Sequence, residues 1–268
     1  MKTMMTALAA FTLSVGLAAC SSADDTETTT AAANDISGDW MIDLDSAEFE
    51  NDNREYLLAD GTFECMSCNP PYSMVADGEW QDLDRPGADK GMFEVVDDRT
   101  VKTAFQYEGE DTGGSTWTVS EDGKTMTVDF TSMTGDETIK GSETYTRTGD
   151  AADGAHAVSG QWVNNGPESI DDAALRASYS VEGDQFTFNS NNGSYTATLG
   201  GEPVAMEGSN SGMMVAVERN GENGYRETYS RDGETLSVIE LTVNGDTLTG
   251  VSTDARDDSV VRWTATRQ

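Results

Sequence analysis

The stretch Ile36-Ser37-Gly38-Asp39-Trp40 recurs 122 residues later as Val158-Ser159-Gly160-Gln161-Trp162. Residues 122–127 (DGKTMT) recur at the same offset as residues 244–249 (NGDTLT), and residues 145–147 (YTR) match residues 265–267 (ATR). Repeats of this length are whole domains rather than solenoid units. The sequence therefore predicts two domains, residues 36–147 and 158–268. Between them, residues 148–157 form a small, polar linker that holds His156, the only histidine.

Both repeats show the residue pattern of β-strands. Polar and apolar side chains alternate in residues 125–130 (TMTVDF) and 185–189 (QFTFN), as expected for strands with one buried face. Asp-Gly and Asn-Gly pairs such as Asp122-Gly123 and Asn244-Gly245 supply tight turns. We predict an all-β protein with two tandem, small, antiparallel up-and-down β-barrels, because closure removes exposed strand edges. The alternative is a pair of β-sandwiches. Residues 43–54 lack alternation and predict a short helix or lid.

The opening motifs of the two repeats resemble a known family. Gly38-Asp39-Trp40 and Gly160-Gln161-Trp162 are similar to the G-x-W motif in the first strand of lipocalins. In that superfamily a basic residue near the last strand packs over the tryptophan, and Arg147 and Arg267 stand at the matching ends of the repeats. The resemblance implies that Trp40, Arg147, Trp162 and Arg267 close lipocalin-like barrels. It implies a fold and a cavity, and it names no ligand.

The N-terminus has the features of a secretion signal. Lys2 precedes an uncharged, apolar run over residues 4–19, which is short for a membrane-spanning helix and suits a signal peptide. The sequence Leu17-Ala18-Ala19-Cys20 resembles the lipobox of bacterial lipoproteins. The resemblance implies that residues 1–19 are removed, that Cys20 is acylated, and that residues 20–35 form a flexible acidic tether. It also implies an outer-membrane anchor on the periplasmic face, with cell-surface exposure as the alternative.

Composition narrows the range of functions. The chain has 16 basic and 49 acidic residues and a formal net charge of −33, which repels phosphate backbones and argues against nucleic-acid binding. One histidine excludes a histidine-built metal site. Acidic pairs such as Asp43-x-Asp45 are read as a solvated face, because no EF-hand loop pattern is present. No phosphate loop or nucleophile motif is found, so we expect no cofactor, no metal and no enzymatic activity.

Cys65 and Cys68 form the most specific local motif after the signal. Two cysteines that remain once Cys20 is acylated, in an oxidising compartment, favour a local disulfide. A redox-active pair, a metal site and free thiols are the alternatives. A redox motif would need a helix after the first cysteine, whereas Pro70 and Pro71 follow here.

Two functions from different classes remain. In the first, the protein is an envelope lipoprotein whose barrels bind a small apolar or amphipathic ligand. In the second, it is a non-catalytic structural or interaction lipoprotein with ligand-free, packed barrels. The volume of the cavity inside each barrel distinguishes them.

Overall fold

The structure, a computed structural model, describes residues 35–68, 70–150, 153–208 and 210–268. The predicted signal, Cys20 and nearly all of the tether lie outside these residues. The described chain forms twenty strands and one short helix, α1 (Asp172–Leu175). In chain order the strands are β1 (Gly38–Glu50), β2 (Asn53–Ala59), β3 (Thr62–Cys65), β4 (Tyr72–Val75), β5 (Gln81–Arg85), β6 (Ala88–Asp97), β7 (Thr100–Tyr107), β8 (Glu110–Val119), β9 (Thr125–Ser132), β10 (Ile139–Gly149), β11 (Gly160–Ile170), β12 (Arg176–Glu182), β13 (Gln185–Ser190), β14 (Gly193–Thr198), β15 (Val204–Ala205), β16 (Met214–Arg219), β17 (Gly224–Arg231), β18 (Glu234–Asn244), β19 (Thr247–Asp254) and β20 (Val260–Arg267).

The strands form two antiparallel sheets of ten strands each, and each sheet curls into a nearly closed barrel. The first barrel has the order β4-β3-β2-β11-β10-β9-β8-β7-β6-β5. The second barrel has the order β14-β13-β12-β1-β20-β19-β18-β17-β16-β15. Bridges between Asp77 and Glu94 and between Ser194 and Glu207 bring the sheet ends together. The predicted all-β class with two tandem barrels is confirmed, and the sandwich alternative does not form.

The strand that opens each repeat lies in the barrel of the other repeat. β1 pairs with β20 and β12, whereas β11 pairs with β10 and β2. The first barrel is therefore the continuous segment 53–170, inserted between β1 and the rest of the second barrel. This exchange corrects the expectation that residues 36–147 and 158–268 each supply all the strands of one barrel.

A short, tightly held connection joins β1 of the second barrel to β2 of the first. Only Asn51 and Asp52 separate β1 from β2, and Asn51 adopts a positive φ of 59°, which asparagine tolerates better than most residues. Asp52 is buried and is tied to the first barrel by Asn164, whose amide donates to its carboxylate at 2.9 Å. On the β1 side, Glu50 pairs with Arg262 of β20 at 2.9 Å. The two-residue connection between the barrels is therefore held on both sides by side-chain contacts.

The same exchange decides which arginine covers which tryptophan. Arg147 lies 4.0 Å from the ring centroid of Trp162, and Arg267 lies 4.3 Å from that of Trp40. The resemblance implies an arginine over the tryptophan of its own repeat, and the structure corrects this pairing, because each arginine covers the tryptophan of the other repeat. The cause is register, because Arg147 stands opposite Trp162 on neighbouring strands and Arg267 stands opposite Trp40.

Residues 43–54 also differ from expectation, because they are strand for most of their length. β1 continues to Glu50 through a bulge between Asp43 and Glu48, and β2 begins at Asn53. A sharply irregular strand hides the period-two pattern on which the prediction relied.

Each barrel has its own hydrophobic core. The core of the first barrel includes Phe63, Phe93, Met126 and Trp162, all at most 2% exposed. The core of the second barrel includes Trp40, Phe186, Leu241 and Leu248, and also Ile36, which precedes β1. The second core is thus completed by a segment from the far end of the described chain.

Candidate functional site

The interior of the first barrel holds a cavity at the end away from the Arg147–Trp162 contact. Its volume is about 340 Å³, and it is open at one end. Cross-strand pairing places Ser132 opposite Gly113 and Ile139 at this end, far along β9 from Thr125, which pairs beside Arg147. The lining residues are Tyr56, Phe105, Thr112, Gly113, Gly114, Ser115, Trp117, Val128, Phe130, Thr131, Ser132, Glu143 and Tyr145.

Small residues on β8 and β9 make room for this cavity. The strand alternation that sends Met126 and Val128 inward also sends Ser132 inward, but its side chain is much shorter. Gly113 has no side chain at all, and its φ of +146° together with the closeness of the Thr131 carbonyl leaves no space for a Cβ. The space therefore depends both on the backbone conformation at Gly113 and on the short side chain of Ser132.

Aromatic rings form much of the cavity wall. The Tyr56 and Trp117 ring centroids are 4.9 Å apart, and Phe105 and Phe130 supply further faces. Phe63 and Phe93 stack with centroids 4.2 Å apart, and both make edge contacts with Trp117 of the wall. The Trp117 indole N–H donates to the Ser115 hydroxyl at 2.7 Å, which fixes the ring.

A carboxylate lies within this wall. Glu143 is partly buried, and one of its oxygens accepts a hydrogen bond from the Tyr145 hydroxyl at 2.5 Å. Desolvation by burial raises the pKa of Glu143, against the lowering effects of the Tyr145 hydrogen bond and of Arg54. Arg54 itself forms an ion pair with Asp52 at 2.8 Å.

One further cation stands beside the cavity. The guanidinium of Arg85 lies 4.5 Å from the ring centroid of Tyr72 and 5.5 Å from that of Phe105, which lines the cavity. Within the described residues, no carboxylate lies within 4.0 Å of this guanidinium. A positive charge therefore lies beside Phe105 of the cavity wall, held by the two ring faces and by a side-chain hydrogen bond with Tyr72.

Side chains fill the interior of the second barrel around a buried acid. Glu227 is 1% exposed and accepts hydrogen bonds from the hydroxyls of Tyr195 at 2.5 Å and Tyr229 at 3.0 Å. Desolvation raises its pKa to about 7, although both tyrosine hydrogen bonds act to lower it. Burial, and then the charge of Glu227, raise the pKa of Tyr179 well above its usual value. The two barrels thus differ in their interiors.

The disulfide expected between Cys65 and Cys68 is present in the structure, with a Cα–Cα distance of 5.5 Å. Cys65 is buried in the core of the first barrel, opposite Tyr56 on one side and Tyr72 on the other. The bond therefore holds the end of β3 next to two aromatic residues near the cavity. His156, in the linker, contacts the backbone carbonyl of Asp97 at 2.6 Å.

A larger groove of about 760 Å³ lies outside the first barrel, along the outer faces of β7 to β10. Trp80 and Met133 line it and are 42% and 45% exposed. Its charged side chains, such as Asp129, Lys102 and Lys140, are exposed, whereas the carboxylate of Glu143 in the interior cavity is partly buried. We take the interior cavity as the candidate site for that reason.

Glu143 and Glu227 are not among the residues predicted from the sequence. The signal was present, since Tyr225, Glu227 and Tyr229 alternate on one face of β17, which puts an acid at a position that the pattern reserves for apolar residues. Glu143 and Tyr145 share a face of β10 in the same way. The arginines that enter the first barrel, Arg54 and Arg85, gave no comparable signal.

In the described part of the chain, no group of three or more His, Cys, Asp or Glu side chains could hold a metal ion. The same residues contain no helix with the length and apolar character needed to cross a membrane. No protein-family model, curated protein or solved structure matches the chain.

Proposed function

We propose that this protein is a lipid-anchored lipoprotein of the bacterial cell envelope whose first barrel binds a small amphipathic ligand. The cavity of about 340 Å³ is the observation that carries this proposal. Its volume falls at the small end of the range of about 300–1,000 Å³ that is typical of small-molecule sites. Aromatic walls with a few convergent polar groups are also typical of such sites.

The second barrel is better suited to a structural role. The Glu227–Tyr195–Tyr229 cluster satisfies its own hydrogen bonds inside a core of buried side chains. We therefore assign binding to the first barrel alone, which narrows the earlier expectation for both barrels. A purely structural protein with no ligand in either barrel is the competing function.

Filling the cavity is expected to abolish binding. Ser132→Phe places a ring in the open end of the cavity, whereas Thr127→Phe places the same ring on the outer face of the same strand. Native mass spectrometry of wild-type protein purified from the envelope should show a bound small molecule. Ser132→Phe should weaken its retention about tenfold or more, a change of about 1.4 kcal/mol in binding free energy.

The Thr127→Phe control should retain the ligand at the wild-type level. Absence of any bound molecule in wild-type protein, combined with failure of added octyl compounds to bind, would favour the structural function.

The proposed anchor depends on Cys20, in the sequence Leu17-Ala18-Ala19-Cys20. Two or three acyl chains exceed the weak, reversible binding of a single chain, so attachment is expected to be stable. Cells grown with an alkyne-bearing fatty acid should label the wild-type protein, and it should fractionate with membranes. Cys20→Ala should lose both properties, and an unlabelled wild-type protein would contradict the anchor.

A further inference from the structure

We propose that the ligand of the first barrel is an organic cation, an amphiphile whose ammonium group lies against Glu143 inside the aromatic wall. This inference rests on the proposed binding function and specifies its ligand. It follows from the charges around the cavity, from the wall that surrounds them and from the charge of the whole chain.

Glu143 lacks a cationic partner within the protein. In the described residues, no lysine, arginine or histidine nitrogen lies within 4.0 Å of its carboxylate. Arg54, the nearby cation, is bound to Asp52, which Asn164 holds on its other oxygen. Arg54 acts on Glu143 only from beyond ion-pair distance, and a partly desolvated carboxylate without an ion pair of its own is unfavourable. A ligand cation would supply the counter-charge.

The wall suits a cation better than it suits an anion. Trp117, Tyr56 and Phe130 surround the space near Glu143 with aromatic side chains, whose faces attract ammonium groups. Arg85 already uses the faces of Tyr72 and Phe105 in this way. An anionic head group would instead have to approach Arg85 while lying beside the carboxylate of Glu143 and the negative faces of these rings.

The charge of the whole protein favours the same ligand. A formal net charge of −33 draws cations towards the molecule and repels anions. The cavity volume corresponds to about eleven water-sized groups, at about 30 Å³ each, so a short alkyl chain with a compact head group fits. These two features together point to small alkylammonium compounds rather than to long lipids.

Three octyl compounds that differ in head group test the proposal: octyltrimethylammonium, 1-octanol and octyl sulfate. Binding is measured by calorimetric titration at physiological ionic strength, where the Debye length is about 8 Å. This screening weakens non-specific binding of the cation to the acidic surface of the protein. We expect the cation to bind at one site, about tenfold more tightly than octanol, and octyl sulfate to bind least.

Variants at Glu143 show whether the cavity carboxylate is responsible. Glu143→Gln keeps the shape and should reduce affinity for the cation about tenfold while leaving octanol affinity unchanged, whereas Glu143→Asp should keep most of the preference. Glu64→Gln, on the exposed face of β3, is the matched control and should leave the affinities for all three compounds unchanged.

Equal binding of cation and octanol, or a preference for octyl sulfate that Arg85→Ala removes, would overturn this inference and leave the proposed function intact. Failure of all three compounds to bind would contradict this inference, and it would contradict the proposed function as well if the envelope-purified protein also retains no small molecule.

Discussion

A fragment of residues 171–268 is expected to remain unfolded on its own and to fold when a peptide of residues 35–51 is added. The fragment contains every strand of the second barrel except β1. Without β1, the edges of β12 and β20 are exposed, and the core lacks Ile36 and Trp40, which are both at most 1% exposed. Loss of a buried tryptophan alone typically costs about 3–5 kcal/mol, which is a large part of the stability of a small domain.

Circular dichroism would follow this reconstitution, and so would the emission of Trp40 in the added peptide, measured with a fragment in which its own tryptophan is replaced (Trp263→Phe). The emission should shift to shorter wavelength as the indole enters the core beneath Arg267. A peptide in which Trp40 is replaced by alanine is the control and should not restore the fold. A fragment 171–268 that folds cooperatively without any peptide would show that β1 is dispensable.

The same topology predicts that residues 53–170 fold alone. This segment holds all ten strands of the first barrel, its own core and the Arg147–Trp162 contact. The competing fragment, residues 36–147, keeps β1 but lacks β11. If residues 36–147 fold as stably as the segment 53–170, β1 can replace β11 in the first barrel. The observed pairing would then be one of two arrangements of similar stability, and the fold would not require it.

The sequence was sufficient to predict the class of fold because strand alternation and glycine turns are local signals. It was not sufficient to predict the exchange. β1 and β11 both begin with a Gly-x-Trp motif, and each places its tryptophan opposite an arginine, so local sequence cannot rank the two pairings. Contacts between distant residues favour the observed pairing, such as Phe49 packed on Gly166, where a positive φ of 90° and the ring leave no room for a side chain.

The candidate site was harder to predict for a related reason. A cavity arises from the combined sizes of inward residues on several strands, and its existence depends on a register that only the folded barrel defines. Glu143 was one of 49 acidic residues in the sequence, and its importance depends on the rings around it. Strand alternation could have placed it on an inward face, but not beside an empty space.

Glu227 is expected to make the second barrel less stable as the pH rises. Inside the fold its carboxyl has a pKa of about 7, whereas its ordinary value is 4.5. Between these two values the folded state binds more protons than the unfolded state, so the free energy of unfolding falls as the pH increases. The stabilisation from the protonated form is complete below about pH 4.5 and lost above about pH 7, and the loss is about 3 kcal/mol for a shift of this size.

Glu227→Gln should remove this dependence, because the amide resembles the protonated acid. Its oxygen can accept from one tyrosine hydroxyl and its NH₂ group can donate to the other, at positions where Tyr195 and Tyr229 now contact the carboxylate. Urea unfolding across the pH range should therefore show near-equal stability of variant and wild type in acid, and a variant that is more stable by about 3 kcal/mol above about pH 8. The large net charge of the chain also makes stability depend on pH, but this contribution is nearly the same in the wild type and in Glu227→Gln. The exposed control Glu182→Gln should therefore show the pH dependence of the wild type. Parallel pH curves for wild type and Glu227→Gln would mean that Glu227 does not change its protonation on folding, since a buried group with an unshifted pKa leaves no slope to remove.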